Sequence, residues 1–190
     1  MTATEARDPL DRYYTPGPCA ASLVAAVDAW WLARMDAPRT IVEISVGGGS
    51  FIPHIRRHWP RAQVIGVDLD PEAKGLAMCG RAIVGDWVEV APTLGRVDLA
   101  IGNPPFSGTT AIAHVGAALA IAEHVALILP WSFGGGVKRW RHIMQGERRP
   151  FAMRPIVPRP WPKHVRETAQ YQWANGRHRG TDTREIEWSR

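Results

Sequence analysis

Short, almost wholly apolar segments alternate with segments of helical periodicity between residues 16 and 130. The apolar segments are TIVEIS, AQVIGVDL, RAIVGDW, RVDLAIGN and VALILP. The candidate helices around them are PGPCAASLVAAVDAWWLARM, FIPHIRRHW, PEAKGLAMC and TTAIAHVGAALAIAEH. Strands that are joined by helices and are apolar on both sides form parallel sheets with both faces covered. We therefore predict an α/β fold with a single doubly wound, mostly parallel sheet.

The pattern changes after residue 133. A basic segment with helical character, VKRWRHIMQ, leads into a Pro-rich link, MRPIVPRPWPKH, and then into two candidate strands, ETAQYQW and REIEW. We predict that these two strands form an antiparallel hairpin at the edge of the sheet. A chain of 190 residues has the length of one domain. We divide it into a cofactor-binding and catalytic core over 1–133 and a basic C-terminal segment over 134–190.

Several classes of protein are disfavoured. The two cysteines, Cys19 and Cys79, lack metal-ligand spacing, so we expect free thiols, no metal site and a cytoplasmic location. The polar N-terminus does not resemble a signal peptide. The longest apolar stretch, AIAHVGAALAIA, is too short to span a bilayer, so no membrane association is expected.

The net charge of +5 is distributed unevenly, with −3 over residues 1–133 and +8 over residues 134–190. A basic segment attached to a slightly acidic core suits a polyanionic partner. We predict phosphate contacts for four of its basic residues, Lys138, Arg139, Arg141 and Arg149. The alternative is an ordinary solvated surface in an arginine-rich protein.

A glycine-rich turn follows the first predicted strand in VEISVGGGSF. Such glycines allow the backbone to approach a ligand at the carboxyl end of a strand. A dinucleotide fingerprint would need a third glycine at position 52, where the residue is Ile52, so this turn does not match GxGxxG. The spacing is instead an acid, Glu43, followed by Gly47 and Gly49.

Acidic residues also end the next two predicted strands. Asp68 could accept hydrogen bonds from a ribose diol, and Asp86 from an adenine amino group, with Trp87 stacking on or beside the ring. The fourth strand ends in Asn103-Pro104-Pro105-Phe106. Each feature alone is often structural, but together they indicate an adenosine ligand without a pyrophosphate.

These motifs, together with YYTP at 13–16, resemble the class I S-adenosylmethionine-dependent methyltransferases, and in particular the NPPF/NPPY-type adenine-N6 DNA methyltransferases. The resemblance implies S-adenosylmethionine as cofactor. It implies that Thr15 helps to hold the methionine carboxylate, Glu43 the amino end, Asp68 the ribose and Asp86 the adenine. The cofactor-binding residues that it implies are Tyr14, Thr15, Pro16, Glu43, Ser45, Gly47, Gly49, Asp68, Leu69, Asp86, Trp87 and Asn103; the catalytic residues are Asn103, Pro104, Pro105 and Phe106.

The NPPF residue types suit methylation of an amine conjugated to a ring. The nitrogen gains positive charge as the methyl arrives, and acceptors aimed at its two hydrogens stabilise that change. Asn103 can offer its side-chain oxygen and Pro104 its carbonyl, because a proline pair joins neither helix nor ladder. Phe106 can stack on an extruded base.

The sequence leaves the substrate open. DNA is the partner that we expect, and RNA adenine is the alternative. A protein glutamine substrate is disfavoured, since relatives of that kind carry a substantial helical domain before the glycine turn, where this sequence has about forty residues. An inactive binding module with this fold is a further alternative. The oligomeric state is not predicted.

Overall fold

The computed structural model describes residues 14–32, 36–106, 109–135, 137, 141, 143, 150–156 and 168–174. Seven strands in this part of the chain form one sheet: β1 (Thr40–Glu43), β2 (Gln63–Asp68), β3 (Arg81–Val84), β4 (Val97–Gly102), β5 (Ala122–Pro130), β6 (Ala152–Pro155) and β7 (Thr168–Ala174). The α-helices described below are α1 (Gly17–Leu32), α2 (Ile52–His58), α3 (Trp87–Val90) and α4 (Thr110–Ile121).

The strand order is β3-β2-β1-β4-β5-β7-β6. Strands β1 to β5 run parallel, whereas β7 lies antiparallel to both of its neighbours, β5 and β6. The order reverses between β1 and β4, and a cleft forms at the carboxyl ends of strands at such a switch point. The predicted fold class, a mostly parallel doubly wound sheet with an antiparallel C-terminal hairpin, is confirmed.

The pairing within that hairpin differs from our prediction. The segment ETAQYQW supplies β7, but β7 pairs with β6, which begins at Ala152 and takes its last three residues from the predicted Pro-rich link. Pro155 is tolerated because it ends an edge strand. The predicted partner REIEW, at 184–188, lies outside the described residues.

Two local predictions also change, and the structure adds one short helix. The segment PEAKGLAMC forms a short 3₁₀ helix over Lys74–Met78 instead of an α-helix, and the backbone N–H of Gly75 donates to the carbonyl of Gly47 at 2.8 Å. Helix α4 ends at Ile121, so the residues Ala122 to His124 belong to β5. The short helix α3 was not predicted, and it begins where the Asp86 side chain accepts from the Val88 backbone N–H at 2.7 Å.

The core lies on both faces of the sheet, which explains the apolar runs in β1, β2, β4 and β5. On one face, Ile41 of β1 packs in a buried cluster with residues of α1 and α2. On the other face, Val42 packs in a second cluster with Trp87 of α3 and Val115 of α4. Because adjacent residues of one strand are buried in opposite clusters, β1 is covered on both sides.

Candidate active site

A cleft opens at the carboxyl ends of β1, β2, β3 and β4. Its walls are the turns after these strands, the segment before α1 and the first turns of α4. Most of the residues predicted to bind cofactor or to be catalytic line it: Tyr14, Thr15, Glu43, Ser45, Gly47, Asp68, Leu69, Asp86, Trp87, Asn103, Pro104, Pro105 and Phe106. The parallel topology thus brings motifs that are distant in the sequence to one place.

Two predicted cofactor residues, Pro16 and Gly49, do not line this cleft. The carbonyl of Pro16 accepts from the backbone N–H groups of Cys19 and Ala20, at 2.9 and 3.2 Å, and so begins α1. Gly49 has a φ of +77°, and a Cβ there would lie 2.8 Å from the Cα of Gly75. Both residues therefore shape the backbone around the cleft.

Of the four predicted phosphate contacts, Lys138, Arg139 and Arg149 lie outside the described residues. Arg141 is exposed and does not line the cleft. The phosphate contacts therefore stay a prediction.

The glycine turn is clamped from three sides. Its Gly47 backbone N–H donates to Oδ2 of Asp68 at 2.7 Å, and its carbonyl accepts from Gly75. The ring of Tyr14 covers the turn, since a Cβ built at Gly47 would lie 3.3 Å from that ring. Gly47 has a φ of +46° and no side chain of its own, so the backbone of this turn can come close to a ligand.

Glu43, the last residue of β1, is 1% exposed. Its Oε2 atom is buried and accepts no hydrogen bond from the part of the chain that the structure describes. Burial raises the pKa of Glu43 well above its usual value, and the negative charge of Asp68 raises it further. A buried acceptor of this kind at the edge of a cleft suits a cationic or N–H-donating group of a ligand.

Asp68, the last residue of β2, stabilises the glycine turn and is also predicted to bind a ligand diol. Its Oδ2 accepts from Gly47, and its Oδ1 accepts from the Asp70 backbone N–H at 2.9 Å. Each carboxylate oxygen can accept a second hydrogen bond. Asp68 can therefore hold the turn and still accept from a ligand diol.

The two predicted site residues after β3, Asp86 and Trp87, differ in their exposure to the cleft. Asp86 is exposed, and only its Oδ1 is engaged in capping α3. The Trp87 ring is 2% exposed and donates from Nε1 to the His114 carbonyl at 3.1 Å, so it belongs to the core beneath the cleft. The side chain of Leu69, 59% exposed at the cleft, is better placed than this indole to cover a ligand ring.

The NPPF residues directly follow β4, the strand next to β1. The Ile44 backbone N–H donates to the carbonyl of Ile101 at 3.0 Å, which holds the ends of the two strands together. Asn103 and Phe106 are half-buried, and Phe106 packs against the core cluster on the α4 side. The tetrad therefore forms the wall of the cleft opposite the Asp68 turn.

Sequence reasoning missed several lining residues, among them Gly48, Ser50, Asp70, Thr110 and His114. His114 is 6% exposed, and burial lowers the pKa of its imidazole. Its Nδ1 lies 3.0 Å from the Thr110 carbonyl. A polar side chain within the apolar stretch of α4 was the signal that could have singled it out.

Two absences hold for the described residues alone. They contain no group of three or more His, Cys, Asp or Glu side chains that could hold a metal ion. None of their helices combines the length and the hydropathy needed to cross a membrane.

A comparison with models of protein families finds no match. Among curated proteins, the chain is 32% identical over 104 residues to the Type II methyltransferase M.XamI from Xanthomonas campestris pv. amaranthicola, covering 49% of this chain. It is 38% identical over 72 residues to the Type II methyltransferase M.CvrRI from Paramecium bursaria Chlorella virus XZ-6E, covering 36% of this chain. In each case the chain spans 19% of the length of the relative.

Among solved structures, the chain is similar to a Pyrococcus horikoshii protein assigned to the RNA methyltransferases. The TM-score is 0.62 at 22% identity, and the match covers 87% of this chain and 88% of the other. Identity at this level shows the fold alone. The chain has the class I methyltransferase fold.

Proposed function

We propose that this chain is an S-adenosylmethionine-dependent methyltransferase that transfers a methyl group to the exocyclic amine of adenine in DNA. The observation that carries the proposal is the meeting of Asn103-Pro104-Pro105-Phe106 with Glu43, Asp68 and Asp86 in one cleft. Acceptors that suit an amine and carboxylates that suit an adenosine thus line the same cleft.

The buried carboxylate of Glu43 supports S-adenosylmethionine as the ligand. Its Oε2 is a buried acceptor without a partner among the described residues, and the ammonium of the methionine moiety is a cation with N–H donors. Glu43 would hold this ammonium, Asp68 the ribose hydroxyls and Asp86 the adenine amine. Gly47 would leave its backbone open to the ligand, and Tyr14 and Leu69 would cover it.

The bound cofactor would supply an electrophilic methyl group on a sulfonium. The chain's own residues would orient the amine and stabilise the positive charge that develops on its nitrogen. Oδ1 of Asn103 and the Pro104 carbonyl would accept its two hydrogens, and both residues line the cleft. Phe106 would stack on the flipped base, which removes the base from its duplex and excludes water from the reacting atoms.

No strong general base is required by this scheme. The alkylated nitrogen would be a cationic acid that loses its proton readily to water, once transfer is complete and the methylated base leaves the cleft. The contribution of the protein is therefore orientation and electrostatics.

DNA is favoured as the substrate by the two sequence relatives, both Type II methyltransferases at 32% and 38% identity. RNA is the second candidate. It is favoured by the likeness to the Pyrococcus horikoshii structure, which covers 87% of this chain and whose name refers to RNA. In both cases the acceptor would be the same adenine amine.

The test is transfer of a labelled methyl group to duplex DNA, single-stranded DNA and RNA, followed by digestion and nucleoside analysis. We expect the label in N6-methyl-2′-deoxyadenosine released from DNA. Labelled adenine from RNA alone would select the second candidate. Label found only in cytosine, or none in any nucleic acid despite cofactor binding, would contradict the proposal.

A further inference from the structure

The side chain of His114 has no role in the scheme above, although it lines the cleft. The residue lies in α4, one turn after Thr110, and is 6% exposed. A polar ring in the wall of a ligand cleft needs hydrogen-bond partners, from the protein or from the ligand. Its surroundings on the protein side define what it can still bind.

The tautomer of His114 follows from the contact between its ring and the Thr110 backbone carbonyl. Nδ1 lies 3.0 Å from the Thr110 carbonyl oxygen, and a carbonyl oxygen can only accept. The ring hydrogen is therefore on Nδ1. Burial lowers the pKa of His114, which keeps the ring neutral at neutral pH. The other nitrogen, Nε2, then carries a lone pair and can only accept a hydrogen bond.

The packing of α3 on α4 places Asp86, which offers a second acceptor, near His114 in the same cleft. Trp87 donates from Nε1 to the His114 carbonyl, which ties His114 to the residue directly after Asp86. Burial lowers the pKa of His114, and the negative charge of Asp86 opposes this effect in part. Oδ1 of Asp86 caps α3, and its second carboxylate oxygen accepts no hydrogen bond from the residues that the structure describes.

Two acceptors at one end of the cleft call for a ligand group with two hydrogens on one atom. We propose that His114 is a specificity-determining residue that accepts one hydrogen of the cofactor's adenine amine at Nε2, while Asp86 accepts the other. This inference rests on the proposed function. A purine with a carbonyl oxygen in place of the amine would offer no hydrogen and would face two lone pairs.

The experiment measures how strongly the full chain prefers adenine. Calorimetry compares the affinity for S-adenosylhomocysteine with that for its analogue in which hypoxanthine replaces adenine. The wild-type protein should prefer the adenine form by roughly 10²-fold, because the wrong base leaves the site's polar groups unpaired.

Two substitutions separate the two nitrogens of the ring. The amide of His114→Asn can keep the donor to Thr110 but is too short to reach the position of Nε2. His114→Gln can place an acceptor near that position. In the His114→Asn variant the preference for the adenine ligand over the hypoxanthine ligand should be about tenfold smaller than in wild type, as expected for the loss of one hydrogen bond to a buried group. In the His114→Gln variant the preference should lie between those of the Asn variant and wild type.

A matched control is Asp68→Asn, since both analogues carry the same ribose. It should weaken the binding of both ligands and leave their ratio unchanged. Melting curves establish that each variant is folded.

A measurement on the wild-type protein keeps the inference testable if the variants do not fold. In the ¹⁵N spectrum of the His114 ring, Nδ1 should carry the proton, and the Nε2 resonance should shift with the adenine ligand and not with the hypoxanthine one. A proton on Nε2, or an unchanged preference in a folded His114→Asn protein, would overturn the inference. Failure of the wild-type chain to bind S-adenosylhomocysteine would instead overturn the proposed cofactor.

Discussion

At the scale of single residues, Glu43 has opposite effects on the stability of the ligand-free protein and on ligand binding. Its folded-state pKa is raised above its ordinary value of 4.5, so the folded protein holds this proton more tightly than the unfolded chain does. The associated stability is fully present below pH 4.5 and is lost as the pH rises through the folded-state pKa. At neutral pH the buried Glu43 carboxyl group therefore lowers the stability of the ligand-free protein, because ionising it away from water costs free energy.

The first prediction is that Glu43→Gln raises the melting temperature of the ligand-free protein at pH 7 and weakens the binding of S-adenosylmethionine. The amide avoids the cost of a buried charge, but it cannot pair with an ammonium. Thermal melts from pH 5 to pH 8 should show the difference between variant and wild type growing with pH.

Proton release gives a second measurement of the same effect. Binding of the ammonium should ionise Glu43, so the wild-type protein should release protons when it binds the cofactor. Calorimetry in buffers of different ionisation enthalpy detects this release, and Glu43→Gln should lack it. The exposed Glu72→Gln is the control and should behave as wild type. Equal proton release in all three proteins would refute the role of Glu43.

The second prediction concerns Asn103, whose contact with the amine should strengthen as charge develops. Asn103→Ala should lower kcat by on the order of 10²–10³-fold, as for loss of one preorganised transition-state contact. Its loss of cofactor affinity should be far smaller. Asn103→Asp retains an acceptor and should keep partial activity. Single-turnover methylation paired with calorimetry separates the two effects, and an Asn103→Ala protein that methylates at the wild-type rate would remove Asn103 from the catalytic site.

At the scale of elements, the turn after β1 depends on a close contact between two glycines. The third prediction is that Gly49→Ala destabilises the protein more than Gly95→Ala does. Both residues have positive φ, +77° and +71°, so alanine costs roughly 1–2 kcal/mol at either position. At Gly49 the new Cβ would also lie 2.8 Å from the Gly75 backbone, whereas Gly95 has open space around it.

That overlap should add about 1–3 kcal/mol to the destabilisation by Gly49→Ala. Denaturant unfolding of the two variants measures the difference. Equal destabilisation would mean that the turn can move away from Gly75 at no cost.

The elements and the site differ in how far the sequence could predict them. The strands β1, β2, β4 and β5 could be located because burial on both faces leaves apolar runs such as VDLAIG. The ends of those strands carry Glu43, Asp68 and Asp86, so a parallel sheet alone predicts that they meet.

Other features depend on contacts between distant segments. The packing of Gly49 on Gly75 and the burial of the Trp87 ring are set by neighbours that no local pattern specifies. The same holds for the pairing of β7 with β6, because REIEW and the residues of β6 both offer strand-like sequence. His114 reads as a helix residue until α3 is packed against it.

At the scale of the whole molecule, acidic residues line the cleft and basic residues predominate in the C-terminal segment. Four carboxylate residues line the cleft, Glu43, Asp68, Asp70 and Asp86, which suits a cationic cofactor and repels phosphates. We therefore expect a nucleic-acid substrate to present only a base to this cleft and to have its backbone held elsewhere. Residues 134–190 carry a charge of +8 and are therefore suited to contact the phosphates of that backbone.

The last prediction is that the basic segment makes nucleic-acid binding steeply dependent on salt. Each phosphate contact releases counterions, so the slope of log K against log salt should fall by about 1 for each contact removed. Changing both Arg139 and Arg141 to Gln should flatten that slope by roughly 2 and leave cofactor affinity unchanged. The matched control changes Arg39 and Arg61 to Gln. These exposed residues lie just before β1 and β2, at the edge of the sheet away from the cleft, and their loss should leave the slope nearly intact. Fluorescence anisotropy of labelled DNA over a range of salt concentrations gives both slopes. Equal slopes in the two double variants would make residues 134–190 a solvated surface and would leave the phosphate contacts to be sought on another part of the chain.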